Sequence, residues 1–198
     1  MQVIYQQWLE GKLGRNISNE TVVMLMEADI AVGRLVCERG LDGVLEIGCG
    51  FALPSIVIAR LGGAKEITAF DLDLDLLNKA RKMVAASGER ITLDCRDFDC
   101  IAPPAGPGWG WIAVKPRGVD GGDGLMERIV VRGVQRQVSL VLVPRYGPEA
   151  HSDAYGRRCR GLAERLRGYG YGVEVHRLHK RLPLQAVVAM PREMGTQG

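Results

Sequence analysis

The 198 residues are 46% hydrophobic, with five cysteines and a net charge of only +3, a balance that suits one globular domain spanning 1–198. No apolar run approaches the roughly 20 residues of a membrane span, and the opening MQVIYQQWLEGK has no secretory h-region. An odd cysteine count without a C-x-x-C pair argues against a disulfide or zinc framework and for a reducing cytoplasm.

The first element is a helix over 19–40, NETVVMLMEADIAVGRLVCERG, closed by Gly40, with Val22, Leu25, Met26, Ile30 and Val36 on its apolar face. It belongs to an N-terminal helical segment, 1–40, ahead of a core over 41–198. Short apolar runs then alternate with helical stretches: GVLEIG (43–48), ALPSIVIARLG (52–62), EITAFDLD (66–73), LLNKARKMVAASG (76–88) and ITLDCRDF (91–98). The loop cluster PPAGPG (103–108) precedes the strand WIAVK (111–115). A helix over 125–139, a strand LVLVPR (140–145) and an Arg-rich helix over 153–168 follow. GVEVHRLHK (172–180) and LQAVVAM (184–190) end the series. Strands alternating with helices predict an α/β fold, a mostly parallel, doubly wound sheet with helices on both faces. The last two strands are too close together for a parallel crossover, so they pair antiparallel. A dinucleotide-binding sheet is usually parallel throughout, which weighs against a dehydrogenase.

Charge is unevenly spread. Residues 1–110 hold 11 Lys/Arg against 15 Asp/Glu, and residues 111–198 hold 15 against 8. The cations are 20 Arg to 6 Lys. That excess suits phosphate recognition or simply a genome that writes Arg for Lys. His176 and His179 fall on opposite faces of the predicted strand and make a poor metal pair, so no metal site is assigned.

Gly48 and Gly50 stand between a buried strand and a helix, where the chain must turn tightly and let a ligand approach. Asp71 lies 21 residues beyond Gly50, where a carboxylate accepts both hydroxyls of a ribose. Glu46 at the first strand's end suits a cationic ligand rather than a pyrophosphate. Together Glu46-Ile47-Gly48-Cys49-Gly50, Asp71-Leu72-Asp73 with Ala80-Arg81, and Arg96-Asp97-Phe98 resemble the first three motifs of class I S-adenosylmethionine-dependent methyltransferases. The resemblance covers residues 43 to 190. It implies a seven-stranded sheet whose last strand runs antiparallel between the fifth and sixth. It also implies that Glu46, Gly48 and Gly50 wrap the methionine part of S-adenosylmethionine, that Asp71 binds the ribose, that Asp97 accepts from the adenine amino group and that Phe98 flanks the ring. Asp73 is better read as a helix cap, and Asp97 has a turn role as its structural alternative. The chain departs from the family at Ala52, where a third glycine is common and a methyl group stands to crowd the cofactor's tail.

In that family the fourth strand ends beside the transferred methyl. Here it ends in Lys115-Pro116-Arg117, donors where amine methylases carry acceptors, so methylation of a base amine is disfavoured. Lys115 and Arg117 suit a phosphate, carboxylate or developing oxyanion; the structural alternative has Lys115 snorkelling and Arg117 paired with Asp120 or Asp123. After the fifth strand, Tyr146 stands to stack on a planar substrate, with Arg145 and His151 beside it. Arg128, Arg132 and Arg136 form one helical stripe, either a solvated face or a nucleic-acid track with Arg157, Arg158, Arg160, Arg165 and Arg167. The reading is methyl transfer, with Lys115, Arg117 and Tyr146 at the substrate and RNA as the substrate. A small anionic metabolite is the alternative, and a non-catalytic cofactor- or RNA-binding module the third reading. No membrane partner is expected, and the oligomeric state is left open.

Overall fold

Ser18 opens helix α1 (Asn19–Cys37) by accepting from the Thr21 amide at 3.2 Å. The computed structural model describes residues 18–114, 124–144 and 153–192, with Gln6 and Asn16 besides. Beyond α1 the order is β1 (Gly43–Ile47), α2 (Leu53–Arg60), β2 (Glu66–Phe70), α3 (Leu74–Ser87), β3 (Thr92–Asp94), β4 (Trp109–Val114), α4 (Gly124–Arg136), β5 (Ser139–Val143), α5 (Asp153–Gly168), β6 (Tyr171–Arg177) and β7 (Gln185–Pro191).

The seven strands form one sheet in the order β3-β2-β1-β4-β5-β7-β6. Pairs through β5 are parallel, while β7 runs antiparallel to both β5 and β6. The predicted hairpin and the inserted last strand are both present, and helices cover both sides of the sheet. β1 and β5 are buried along their whole length, as central parallel strands with covered faces must be. α1 lies on α2 because Gly33 has no side chain: a Cβ there would stand 2.7 Å from Val57 Cβ.

Element boundaries differ from the sequence reading in instructive places. The stretch 91–98 is not one strand. It pairs with β2 only over Thr92–Asp94, and Asp97 then caps a 3₁₀ turn, Phe98–Cys100, by accepting from the Asp99 amide at 2.9 Å. α1 stops at Cys37, and Gly40, at φ +62°, turns the chain toward β1 instead of closing the helix. α4 ends at Arg136, not 139, because Gln137 takes a left-handed conformation at φ +52°.

The β6–β7 connection docks on α1. His179 Nδ1 accepts from the Arg181 and Leu182 amides, so Nε2 carries the proton and donates to Glu27 at 3.0 Å. Arg181 pairs with Glu20 beside it. His176 instead meets Glu174, at 2.8 Å. Neither histidine gathers metal-type ligands, and no such cluster occurs among the described residues. No described helix is long and apolar enough to cross a membrane.

Candidate functional site

β1 delivers the chain into a turn built from three left-handed residues, Gly48 (φ +68°), Gly50 (φ +53°) and Ala52 (φ +55°). The Gly48 and Cys49 amides donate to the Phe70 carbonyl at 2.9 and 3.0 Å, which fastens the turn to the end of β2. A side chain added at Gly50 would meet nothing within 4 Å, so this backbone borders open space. Ala52 caps α2 without a side-chain bond of its own. Its methyl is fully buried in an apolar cluster with Leu53, Leu77 and Ala80, so it does not crowd the open side of the turn.

Glu46 supplies what Ala52 lacks. Its Oε2 accepts from the Ser55 amide at 3.1 Å and the Ser55 hydroxyl at 2.5 Å, tying β1 to the first turn of α2. The residue is 2% exposed, and burial pushes its carboxyl up to about 8, despite the Ser55 bonds that favour the ion; Asp29 and Asp71 push the same way as burial. Burial likewise raises the Cys49 thiol far above its usual range, leaving it inert.

Asp71 stands just past β2. Its Oδ2 accepts from the Gly50 amide and its Oδ1 from the Asp73 amide, each at 2.9 Å. Each oxygen keeps a lone pair for a further donor. Asp73 is the cap of α3, accepting from Asp75 and Leu76 amides at 3.1 Å, as its sequence position suggested.

Between these strand ends lies a shallow cleft, open to solvent. Gly48, Asp71, Asp97, Arg96 and Arg128 line its polar side, and Ile47, Phe70, Leu72, Phe98 and Leu125 its apolar side. Phe98 is a buried wall rather than a free flap. Its ring stacks on Phe70 at 6.2 Å and meets Trp111 edge-on at 5.6 Å. Leu72, half exposed beside Asp71, is the apolar contact that sequence reasoning passed over.

Residues 44–108 match the family model for a methyltransferase domain. No curated protein matches the chain. Among solved structures, the S-adenosylmethionine-dependent methyltransferase SibL superposes with a TM-score of 0.64 at 16% identity, over 88% of this chain and 57% of that one. An rRNA methylase from Streptococcus thermophilus gives 0.56 at 15% identity, over 81% and 94%. M. capricolum TrmK in complex with S-adenosyl-homocysteine gives 0.56 at 12% identity, over 81% and 67%. The chain has the fold of the class I, S-adenosylmethionine-dependent methyltransferases, and its residues 44–108 are similar to a methyltransferase domain. It spans a little over half the length of the SibL chain.

The cleft suits that cofactor chemically. Two carboxylates, Asp71 and Asp97, offer acceptors for hydroxyl and amino groups. The aliphatic and aromatic side accepts a planar ring, and the glycine turn leaves space beside its backbone. Glu46 does not line the cleft; it shapes the glycine turn through Ser55. The predicted Gly48, Asp71, Asp97 and Phe98 are brought together. Lys115, Arg117 and Tyr146, with Arg145 and His151, lie outside the described residues.

Of the arginine stripe on α4, Arg128 and Arg132 bind the domain itself, while Arg136 is exposed. Arg128 Nε pairs with Asp99 at 2.9 Å, and Arg132 bonds the Phe98 and Ile101 carbonyls. On α5, Arg165 grips Glu127 through both carboxylate oxygens, at 2.6 and 2.7 Å, and Arg167 donates to the Val173 carbonyl.

Proposed function

We propose that this domain methylates RNA, with Asp71 and Asp97 holding the cofactor's ribose and base and the rim beyond β4 and β5 presenting the acceptor. The observation that carries the cofactor half is the pair of carboxylates facing one cleft, at the C-terminal ends of the parallel strands. In open α/β sheets ligands bind at that edge. When bound, S-adenosylmethionine supplies a methyl group on a positively charged sulfur, ready for in-line transfer to a nucleophile. The chain's own work is positioning. Asp71 orients through two fixed oxygens, Glu46 and Ser55 stiffen the glycine turn, and the walls of Phe70, Leu72 and Phe98 exclude water from one side.

The acceptor half rests on charge. The basic surplus lies in residues 111–198, and Arg157 and Arg160, exposed on α5, form no ion pair among the described residues. Lys115 and Arg117 follow β4 directly, and we assign them contact with a phosphate or the reacting oxygen, with Tyr146 stacking on the acceptor. A small anionic metabolite is the second reading, favoured by one observation: Arg128 and Arg132 are spent on internal contacts and are not offered to a long polyanion.

Labelled methyl transfer from S-adenosylmethionine to total RNA, run beside a metabolite extract, separates the two readings. RNA labelling that Lys115→Ala abolishes, while cofactor affinity stays unchanged, supports the proposal. Label only in the metabolite fraction transfers the assignment to a small acceptor. Cofactor binding with no transfer to either pool leaves a binding module.

A further inference from the structure

Arg132 lies in the middle of α4, with a quarter of its side chain exposed. It does not line the cleft, yet it holds the segment that does. Its Nη1 donates to the Phe98 carbonyl at 2.5 Å, and its Nη2 donates to the Ile101 carbonyl at 2.9 Å. The guanidinium carbon stands 4.4 Å from the centroid of the Phe98 ring, a cation–π contact on the buried wall of the cleft. Nη1 also lies 3.6 Å from Asp99 Oδ1, and Arg128 takes the other oxygen of Asp99 at 2.9 Å. A three-residue 3₁₀ turn offers its later carbonyls no helical donor. One planar fork reaches both carbonyls and the ring between them, which an ammonium group cannot do.

These contacts run on to a ligand-facing atom. Asp97 Oδ1 accepts from the Asp99 amide at 2.9 Å, so the setting of that carboxylate follows the position of residue 99. Residue 99 is held by Arg128 and Arg132. We propose that Arg132 is a positioning residue for the cofactor: from behind the cleft it fixes the Asp97–Phe98 wall, and with it the discrimination of adenine from other bases. The inference rests on the cofactor reading of the cleft. It gives the α4 stripe a use that neither a wet helix face nor a nucleic-acid track would.

The test measures two ligands by calorimetry, S-adenosylhomocysteine and its inosine counterpart, in which the base amino group is replaced by a carbonyl. Asp97 accepts from the amine and opposes the carbonyl, so wild type prefers the adenosyl ligand. Arg132→Met is expected to weaken that ligand roughly tenfold, about 1.4 kcal/mol, and to bring the two affinities close together. Arg132→Lys keeps the charge but not the fork, and should fall between. Asp71→Ala is the contrast: it weakens both ligands and keeps the preference. If Arg132→Met loses both ligands in equal proportion, or neither, the residue is only a structural clasp and the proposal falls. If Arg132→Met does not fold, Arg132→Lys decides on the same criterion. Wild type that binds neither ligand overturns the cofactor reading itself, an outcome separate from failure of the variants.

Discussion

Glu46 is a carboxyl group sealed among β1, the glycine turn and α2, and its surroundings set its proton rather than its charge. Its folded value of about 8 lies above the ordinary 4.5, so between those limits the folded state binds more protons than the unfolded one. Stability from this group is therefore full below about pH 4.5 and declines as pH rises toward 8. Glu46→Gln keeps a carbonyl for Ser55 and removes the titration. Urea midpoints at several pH values in that range should fall with pH for wild type and stay flatter for the variant. Asp71 instead fixes its two oxygens by accepting from the Gly50 and Asp73 amides. Asp71→Ala should weaken cofactor binding by roughly 3 kcal/mol, since charge-assisted bonds contribute about 1.5–3 kcal/mol each. Equal calorimetric affinities would remove Asp71 from the site. Asp71 is readable in the sequence because its place in the cleft depends on a strand end and a fixed distance from the turn. Arg132 is not, because its partners at Phe98 and Ile101 come together only when α4 folds over the 3₁₀ turn.

α2 and α4 end in the same way with different residues. In each, two amides fold back onto the last turn: Gly63 to Ile58 and Gly62 to Ala59 in one, Val138 to Gly133 and Gln137 to Val134 in the other. The motif needs a left-handed residue where the chain leaves the helix. Gly62 meets that need without strain at φ +66°, whereas Gln137 holds φ +52° against the clash of its Cβ. Gln137 is exposed, so little packing disappears on truncation. Gln137→Gly should stabilise the fold by about 0.5–1 kcal/mol, after allowing for glycine's freer unfolded chain; an unchanged or lower urea midpoint would contradict this. The same feature explains why helical periodicity overruns the true end of α4. Nothing in the side chain of a glutamine announces a stop, while the glycines ending α2 and α3 do. The stretch 91–98 misleads for a related reason: alternation suggests one strand, but the edge of the sheet offers β2 as a partner only as far as Asp94.

Across the whole molecule, the antiparallel pairing of the last two strands is legible from spacing, while the insertion of the last strand between the fifth and sixth is legible only through the family resemblance. The short gap before β7 forbids a crossover, and β7 lies antiparallel between β5 and β6. Charge is less legible, because a count of arginines does not reveal which are spent. Arg128, Arg132, Arg165 and Arg181 neutralise acids or carbonyls of the domain itself. Among the described residues Arg157 and Arg160 meet no such acid, and they lie on α5, the helix that follows β5. If RNA is the acceptor, Arg157→Glu with Arg160→Glu should lower affinity and flatten the salt dependence of binding by about one unit of log–log slope for each phosphate no longer neutralised. Charge reversal at Arg136 alone should leave that slope unchanged. Equal effects from both sets would mean that general surface charge, not a defined face, governs binding.

The placement of β7 also sets an order of events during synthesis. β5 and β6 leave the ribosome before the strand that belongs between them, so β6 has no neighbour to join when it emerges. At about 5–20 residues per second the interval is on the order of a second. During it the edge of β5, with Leu140, Val141 and Leu142, stays open to water and to other nascent chains. The sheet is therefore closed from the inside by its last strand, and the part of the domain that holds the cleft, β1 to α4, can form before the part that completes the core.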